Sequence, residues 1–395
     1  MQGIWQQTPF SGFGCSQWTA ARPILATEIV LPSDDRQARR LVRARCAQTP
    51  GVYGMINAEG ELIYIGKSRS LRERLVSYFY DTASNEKGRR IIGQTARLVW
   101  EPATHEFTAL LRELELIRRW RTRFNVQGQP GRLRRTYVCV SAGAAPHVYL
   151  APRPTARARA CFGPIRGSWR ARDAVARLNH YFKLRDCPQD TPLYFSDQRE
   201  LFPQIRTPRC LRVELGSCLA PCVAGCTTEQ YDAQVAGVLA FLRGTETQFL
   251  ASLEKSMQQA AGEQQFERAA ILRNVWTELS WLDEQLDRLR QVRDRYSFVY
   301  PLPGYGRQRH WFLIRHGQLA GVMPAPCSRR NANRSLARLE EIYQRSGLTI
   351  EESHEDLDLL WLITRWFRKY PDELERTIEP EQAVQRCWRL ARPAK

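Results

Sequence analysis

A hairpin running straight into a basic helix, GVYGMINAEGELIYIGKSRSLRERLVSY over residues 51–78, constrains this chain more than any other stretch. Residues 52–57 and 62–66 are β-branched and aromatic runs joined by a turn that ends in Gly60, the pattern of a β-hairpin. Tyr53 and Tyr64, eleven positions apart, therefore fall on paired strands. At about 100° per residue, Leu71, Arg74, Leu75 and Tyr78 share one face of the helix, which aims Arg74 at the hairpin. An arginine so placed can simply lay its stem along apolar surface. Two tyrosines, Lys67 and an inward arginine meeting on one small surface point instead to a reactive centre.

A second helix adds a carboxylate. In EFTALLRELELIRRW, Phe107, Leu110, Leu111, Leu114 and Ile117 mark an apolar stripe. Helical projection puts Glu113 between Ala109 and Ile117, inside the apolar arc, and Glu115 on the opposite side, where only solvent is expected. A carboxylate in an apolar arc is neutralised, ion-paired or bound to metal, because an unpaired buried charge is costly.

The order GVY, YIGK, SRSLRERLVSYF resembles the GIY-YIG nuclease motif in the version of the UvrC and Cho family of bacterial excinuclease components. That resemblance implies a metal-dependent phosphodiesterase with catalytic residues Tyr53, Tyr64, Lys67, Arg74 and Glu113. Glu113, standing ahead of Leu116-Ile117-Arg118 and Phe124-Asn125, would hold one Mg²⁺ or Mn²⁺. Arg74 would counter charge in the transition state and one of the two tyrosines would help deprotonate water. A tyrosine with a free pKa of about 10 is a poor base near neutrality, so Lys67, Arg74 and the metal are expected to lower it. Arg69, Arg72, Tyr78 and Asn125 are expected on the DNA-binding surface.

Composition agrees with a polyanionic partner: 59 basic against 41 acidic residues leave a net charge of +18. Eight arginines lie in residues 112–135 and six in 153–172. The opening MQGIWQQTPF has no basic region followed by an apolar core, so no secretory signal is expected. No apolar run approaches the roughly 18 residues of a membrane helix. The expected location is the cytoplasm, where the 11 cysteines stay reduced.

Four of those cysteines form a second signal. Cys187, Cys210, Cys218 and Cys222, with Cys226 beyond, lack the C-x2-C pairs of zinc ribbons, and Pro221 argues for a loop rather than a helix between the last two. KLRDC, PRC and GSCLAPC resemble the family motif that implies a [4Fe-4S] cluster; thiolates suit zinc as the alternative. Further on, residues 253–282 read as two helices broken at Gly262. FERAAILR resembles the UVR motif, which implies pairing with a UvrB-like protein through a face including Phe266.

The expected fold is α+β: an N-terminal extension (1–48), a small GIY-YIG domain of short antiparallel sheet and flanking helices (49–130), a linker and cysteine region (131–230), a UVR helical hairpin (231–295) and a small α+β C-terminal region of unassigned role (296–395). The resemblance implies an endonuclease of the nucleotide excision repair type that cuts one strand. A non-catalytic DNA-binding adaptor that recruits a repair partner is the rival; a mobile-element nuclease would not carry the cysteines with FERAAILR.

Overall fold

The computed structural model describes residues 9–18, 26–80, 86–125, 135–166, 169–188, 190–198, 210–246, 248–306, 308–344 and 357–391. They form two compact units, residues 135–292 in one and the remainder in the other. The expected domain boundary at residue 130 lies outside the described residues.

The first unit opens with β1 (Thr27–Val30), α1 (Asp35–Arg45), β2 (Gly51–Ile56), β3 (Leu62–Ser68), α2 (Leu71–Ser77), α3 (Glu86–Ile92), β4 (Arg97–Pro102) and α4 (Glu106–Trp120). Its antiparallel sheet has the order β1-β4-β2-β3, with the expected hairpin at one edge. Every residue of β2 is buried because both faces of the sheet are covered. Tyr53 and Met55 pack with Val42, Leu71, Leu75 and Trp100 under α1 and α2. Val52 and Ile56 pack with Ala109, Leu116 and Ile117 of α4. A register shift beside Met55 lets Leu62 face Ile56 while Tyr64 faces Met55, and this puts Tyr64 on the same side as Tyr53. Asp34 caps α1, accepting from the amides of Arg36 (3.3 Å) and Gln37 (3.0 Å), where a carboxylate also serves the helix dipole.

The second unit holds β5 (Arg135–Ser141), β6 (Val148–Ala151), β7 (Ala158–Arg166), α5 (Trp169–Tyr181), α6 (Leu211–Glu214), α7 (Thr228–Arg243), α8 (Phe249–Gly262) and α9 (Phe266–Arg295). Its sheet runs β6-β5-β7. A capping box between Thr227 and Gln230 starts α7, and Gly244 at φ 73° ends it. The expected break at Gly262 separates α8 from α9.

Residues beyond α9 return to the first unit: β8 (Phe298–Pro303), β9 (Arg309–Arg315), β10 (Gln318–Pro324), α10 (Arg329–Tyr343), α11 (Leu357–Lys369), α12 (Pro371–Glu375) and α13 (Pro380–Ala391). The turn between β9 and β10 is His316-Gly317, both at positive φ, as a tight two-residue hairpin turn requires. One side of this sheet packs on α10 and α13 through Val299, Trp311, Leu313, Leu339 and Cys387. The other side, with Tyr300, Phe312, Ile363, Trp366 and Phe367, packs on Phe107 and Leu111 of α4. Helix α4 therefore lies between two sheets. Its wide apolar arc serves both.

Candidate active site

The centre is assembled on one face of the β2–β3 hairpin. Tyr53 lies opposite Gly66, and a Cβ added at Gly66 would stand 2.5 Å from the Tyr53 hydroxyl oxygen. Glycine at that position is what lets the Tyr53 ring cross its partner strand. Arg74, carried in by the face of α2 that buries Leu71 and Leu75, donates from Nε to the Tyr53 hydroxyl (3.2 Å) and from a terminal nitrogen to the Tyr78 hydroxyl (3.1 Å). The two hydroxyls are 2.9 Å apart, and the guanidinium carbon lies 4.8 Å from the Tyr78 ring centroid. The Tyr64 ring stands 6.2 Å from that of Tyr53. Tyr78, expected to meet DNA, is buried and is the hub of this network.

Among the protein's own groups, burial outweighs the cations expected to lower the two tyrosines. Burial pushes the pKa of Tyr53 well up, and Tyr78 and Tyr64 push it further; the lowering influence of Arg74 is outweighed. Burial likewise raises Tyr64, with Tyr78 and Glu113 adding to it. Both phenols are thus held neutral, and neither is a ready phenolate base. Lys67 does not lower them, because its Nζ sits 2.8 Å from Glu106 Oε1.

Glu113 is half-buried, as its place in the apolar arc required. Desolvation pushes its pKa up to about 7, against the opposing charge of Lys67 and a hydrogen bond from the Lys67 backbone. Its charge also reaches Tyr64. Glu115 corrects the sequence reading. Instead of facing solvent it pairs with Arg112 (2.9 Å) and accepts from the Gln17 amide (2.9 Å), because residues 13–18 cover that side of α4. Arg112 also pairs with Glu101 (3.1 Å).

Of the remaining DNA-surface residues, Arg69 is exposed, while Arg72 spends its Nε on the Cys46 carbonyl (2.6 Å). Asn125 is turned inward. Its amide accepts from Ile65 N and donates to Ile65 O, both at 2.8 Å, and Thr122 Oγ1 donates to it as well.

The cysteines lie in turns, with Ala220 and Ala224 at φ 57°, so Pro221 indeed keeps them off a helix. Burial raises the Cys218 thiol, and Cys187, Cys222 and Cys210 raise it further; Cys222 likewise feels Cys187 and Cys210 after its own burial. The four thiols thus share one electrostatic neighbourhood, beside the buried Arg185. Their donor chemistry fits an iron–sulfur cluster and zinc alike. Still, among the described residues no group of three or more His, Cys, Asp or Glu is arranged to hold a metal ion. In the other half of that unit, Phe266 opens α9 at 70% exposure, with Ile271 at 59%.

Three family models match consecutive stretches of the chain: the UvrC-like GIY-YIG domain over residues 49–126, the UvrC/Cho excinuclease middle domain over 136–241, and the UvrB/uvrC motif over 247–280. The chain belongs to the UvrC-like GIY-YIG family. The UvrABC system protein C of Pseudomonas entomophila is 31% identical over 252 residues, covering 64% of this chain and 38% of that protein. That of Bdellovibrio bacteriovorus is 33% identical over 282 residues, covering 69% and 42%. The chain thus spans about two fifths of the length of these curated relatives. A crystal structure of the GIY-YIG N-terminal endonuclease domain of UvrC from Thermotoga maritima, bound to magnesium, aligns at 31% identity with a TM-score of 0.21, covering 24% of this chain and 100% of that one.

Within the GIY-YIG domain, sequence reasoning missed Glu106. It follows the His105 cap of α4 and joins Lys67 (2.8 Å), Arg69 and the Tyr370 hydroxyl (3.3 Å). Burial opposes its charge, but Lys67 and Arg69 hold its pKa below the usual carboxylate value. An acid in the first turn of a helix looks like a dipole partner, and that ordinary role hid it. No helix among the described residues is long and apolar enough to cross a membrane. An open polar depression of about 560 Å³, lined by Asn57, Glu59, Glu61, Gln94 and Arg123, lies at the turn end of the hairpin and contains none of the expected residues.

Proposed function

We propose that this chain is a cytoplasmic, divalent-metal-dependent DNA endonuclease of the nucleotide excision repair type, hydrolysing one strand at a single GIY-YIG centre. The observation that carries this reading is the half-buried Glu113 carboxylate, placed near Lys67 and Tyr64 in a domain where the hydroxyls of Tyr53 and Tyr78 hold Arg74. A lone hard oxygen donor suits Mg²⁺ or Mn²⁺, which keep several waters and take further ligands from substrate phosphate. When bound, the metal would supply Lewis-acid stabilisation at the scissile phosphate.

The protein's own groups would do the rest. Arg74, held by the hydroxyls of Tyr53 and Tyr78, is a preorganised cation for charge developing on phosphate oxygens. With its hydroxyl engaged by both Arg74 and Tyr78, Tyr53 is a scaffold for that cation. Tyr64, the tyrosine whose titration feels Glu113, is the one to orient the attacking water as a neutral hydroxyl. Lys67 and Glu106 steady the metal carboxylate, and Arg69 and Arg72 contribute to DNA contact.

Cys187, Cys210, Cys218 and Cys222 would hold a [4Fe-4S] cluster, with zinc as the alternative. The exposed Phe266 face would take a UvrB-like partner, and it is also what favours the rival adaptor reading. Incision of end-labelled damaged and undamaged duplex with Mn²⁺, with and without UvrA and UvrB, separates the two. An adaptor gives no metal-dependent cut that Glu113→Gln removes.

A further inference from the structure

One side of the nuclease centre is completed from the far end of the chain. Tyr370, the residue after α11, donates to Glu106 (3.3 Å), and its ring centroid lies 5.0 Å from the Arg69 guanidinium carbon and 5.0 Å from the Lys369 ammonium. Trp366 packs on Tyr370 with ring centroids 4.3 Å apart and on His105 at 5.6 Å. The platform is therefore fixed to the start of the helix that carries Glu113.

Its charge is unbalanced. Lys67 and Arg69 share the one Glu106 carboxylate, while among the described residues no ion pair joins Lys369 to any carboxylate. Of the acids of α12, Glu373 pairs with Arg376 (2.7 Å) and accepts from Tyr300 (2.6 Å), and among the described residues no ion pair joins Asp372 or Glu375 to Lys369. Arg365, one helical turn before Lys369, is another exposed cation. Two cations drawn to one aromatic ring repel each other, and an anion set between them would relieve that repulsion.

We propose that Arg69, Lys369 and Tyr370 form a phosphate-binding lip for the DNA backbone beside the scissile position, so that the C-terminal region is part of the nuclease's substrate surface. This rests on the DNA endonuclease reading above. The partner chemistry is a phosphodiester oxygen accepting from a guanidinium and an ammonium, with the Tyr370 ring holding both cations in place. Lys369 at the end of α11 could otherwise serve only the helix dipole, a role that affects melting and not DNA.

The test uses the full chain carrying Glu113→Gln, so that binding of a dye-labelled duplex is read without cutting, over a NaCl series. Lys369→Ala and Arg69→Ala should each flatten the log–log salt slope by about 0.9, the value of one phosphate contact. Lys369→Arg should keep the parent slope. An unchanged slope in Lys369→Ala overturns the lip, as does a lowered melting temperature with the slope intact. Incision by the parent chain is scored separately with Mn²⁺: if Glu113→Gln still cuts, the endonuclease reading fails, whereas unchanged slopes with cutting abolished defeat the lip alone.

Discussion

The centre around Arg74 in the GIY-YIG domain and the cysteine region are built in opposite ways. Around Arg74 the side chains bond to one another: Tyr53, Tyr78 and the guanidinium close a network of contacts between 2.9 and 3.2 Å. Around Cys218 the thiols influence each other through space but are not arranged to hold a metal ion. The first centre is held by the protein's own hydrogen bonds, and under the proposed function its ligand would be taken at Glu113. The second has thiols that raise one another's pKa without bonding to one another, and under the proposed cluster their common partner would come from outside the chain. Removing a ligand should therefore leave the first fold intact and loosen the second.

The largest expected effect breaks the first centre chemically. Glu113→Gln or Arg74→Ala should abolish incision of end-labelled duplex while DNA affinity stays nearly unchanged, because each acts at the scissile phosphate. Residual cutting by the Glu113 variant at the parent rate would remove the nuclease assignment.

Next comes the cysteine region. Anaerobically purified protein should be brown, with iron and sulfide at about four each per chain. Cys218→Ser should bleach it and lower its melting temperature. Colourless protein with stoichiometric zinc would make the site a structural zinc.

A subtler effect concerns pH. The Glu113 carboxyl titrates near 7 in the folded chain against an ordinary 4.5, so the folded state binds the proton more tightly than the unfolded one. Stability from this group is therefore present at low pH and lost as pH rises from about 4.5 through about 7. In metal-free protein the loss is at most on the order of 3 kcal/mol, at about 1.36 kcal/mol per pKa unit. Metal-free Glu113→Gln should accordingly melt higher than the parent at pH 8 and alike at pH 4. Equal melting temperatures at both would mean that Glu113 is not desolvated.

The smallest stability effect falls in the UVR motif. At 70% exposure Phe266 is not a core residue, so Phe266→Ala should change stability by no more than about 0.5 kcal/mol. Damage-dependent incision with UvrA and UvrB should nevertheless fall, and metal-driven nicking of naked DNA should persist. A collapsed melting temperature would return Phe266 to the core.

Much of the first centre was legible because it is local. The hairpin, the face of α2 and the projection of Glu113 follow from periodicities of two and 3.6 residues. What escaped depends on distant partners. Glu115 looked solvent-facing until residues 13–18 were seen to cover it. The tyrosines were expected to titrate low beside cations and a metal; among the protein's own groups burial, a tertiary property, outweighs Arg74. Tyr370 lies 264 positions from the Glu106 it contacts, beyond any local pattern. The four cysteines could be recognised as a group from their spacing and Pro221, and the structure gives them a shared electrostatic neighbourhood.

The inward turn of Asn125 has a consequence for the whole sheet. β3 is an edge strand, and an uncovered edge invites pairing with another chain. Here the Asn125 amide takes both backbone groups of Ile65 at 2.8 Å, while the Phe124 amide donates to the Ile63 carbonyl at 3.1 Å. Two residues thus act as a miniature substitute strand that shields this edge from self-association. A fragment cut before Phe124 would expose it, and would be expected to precipitate before it lost its catalytic groups.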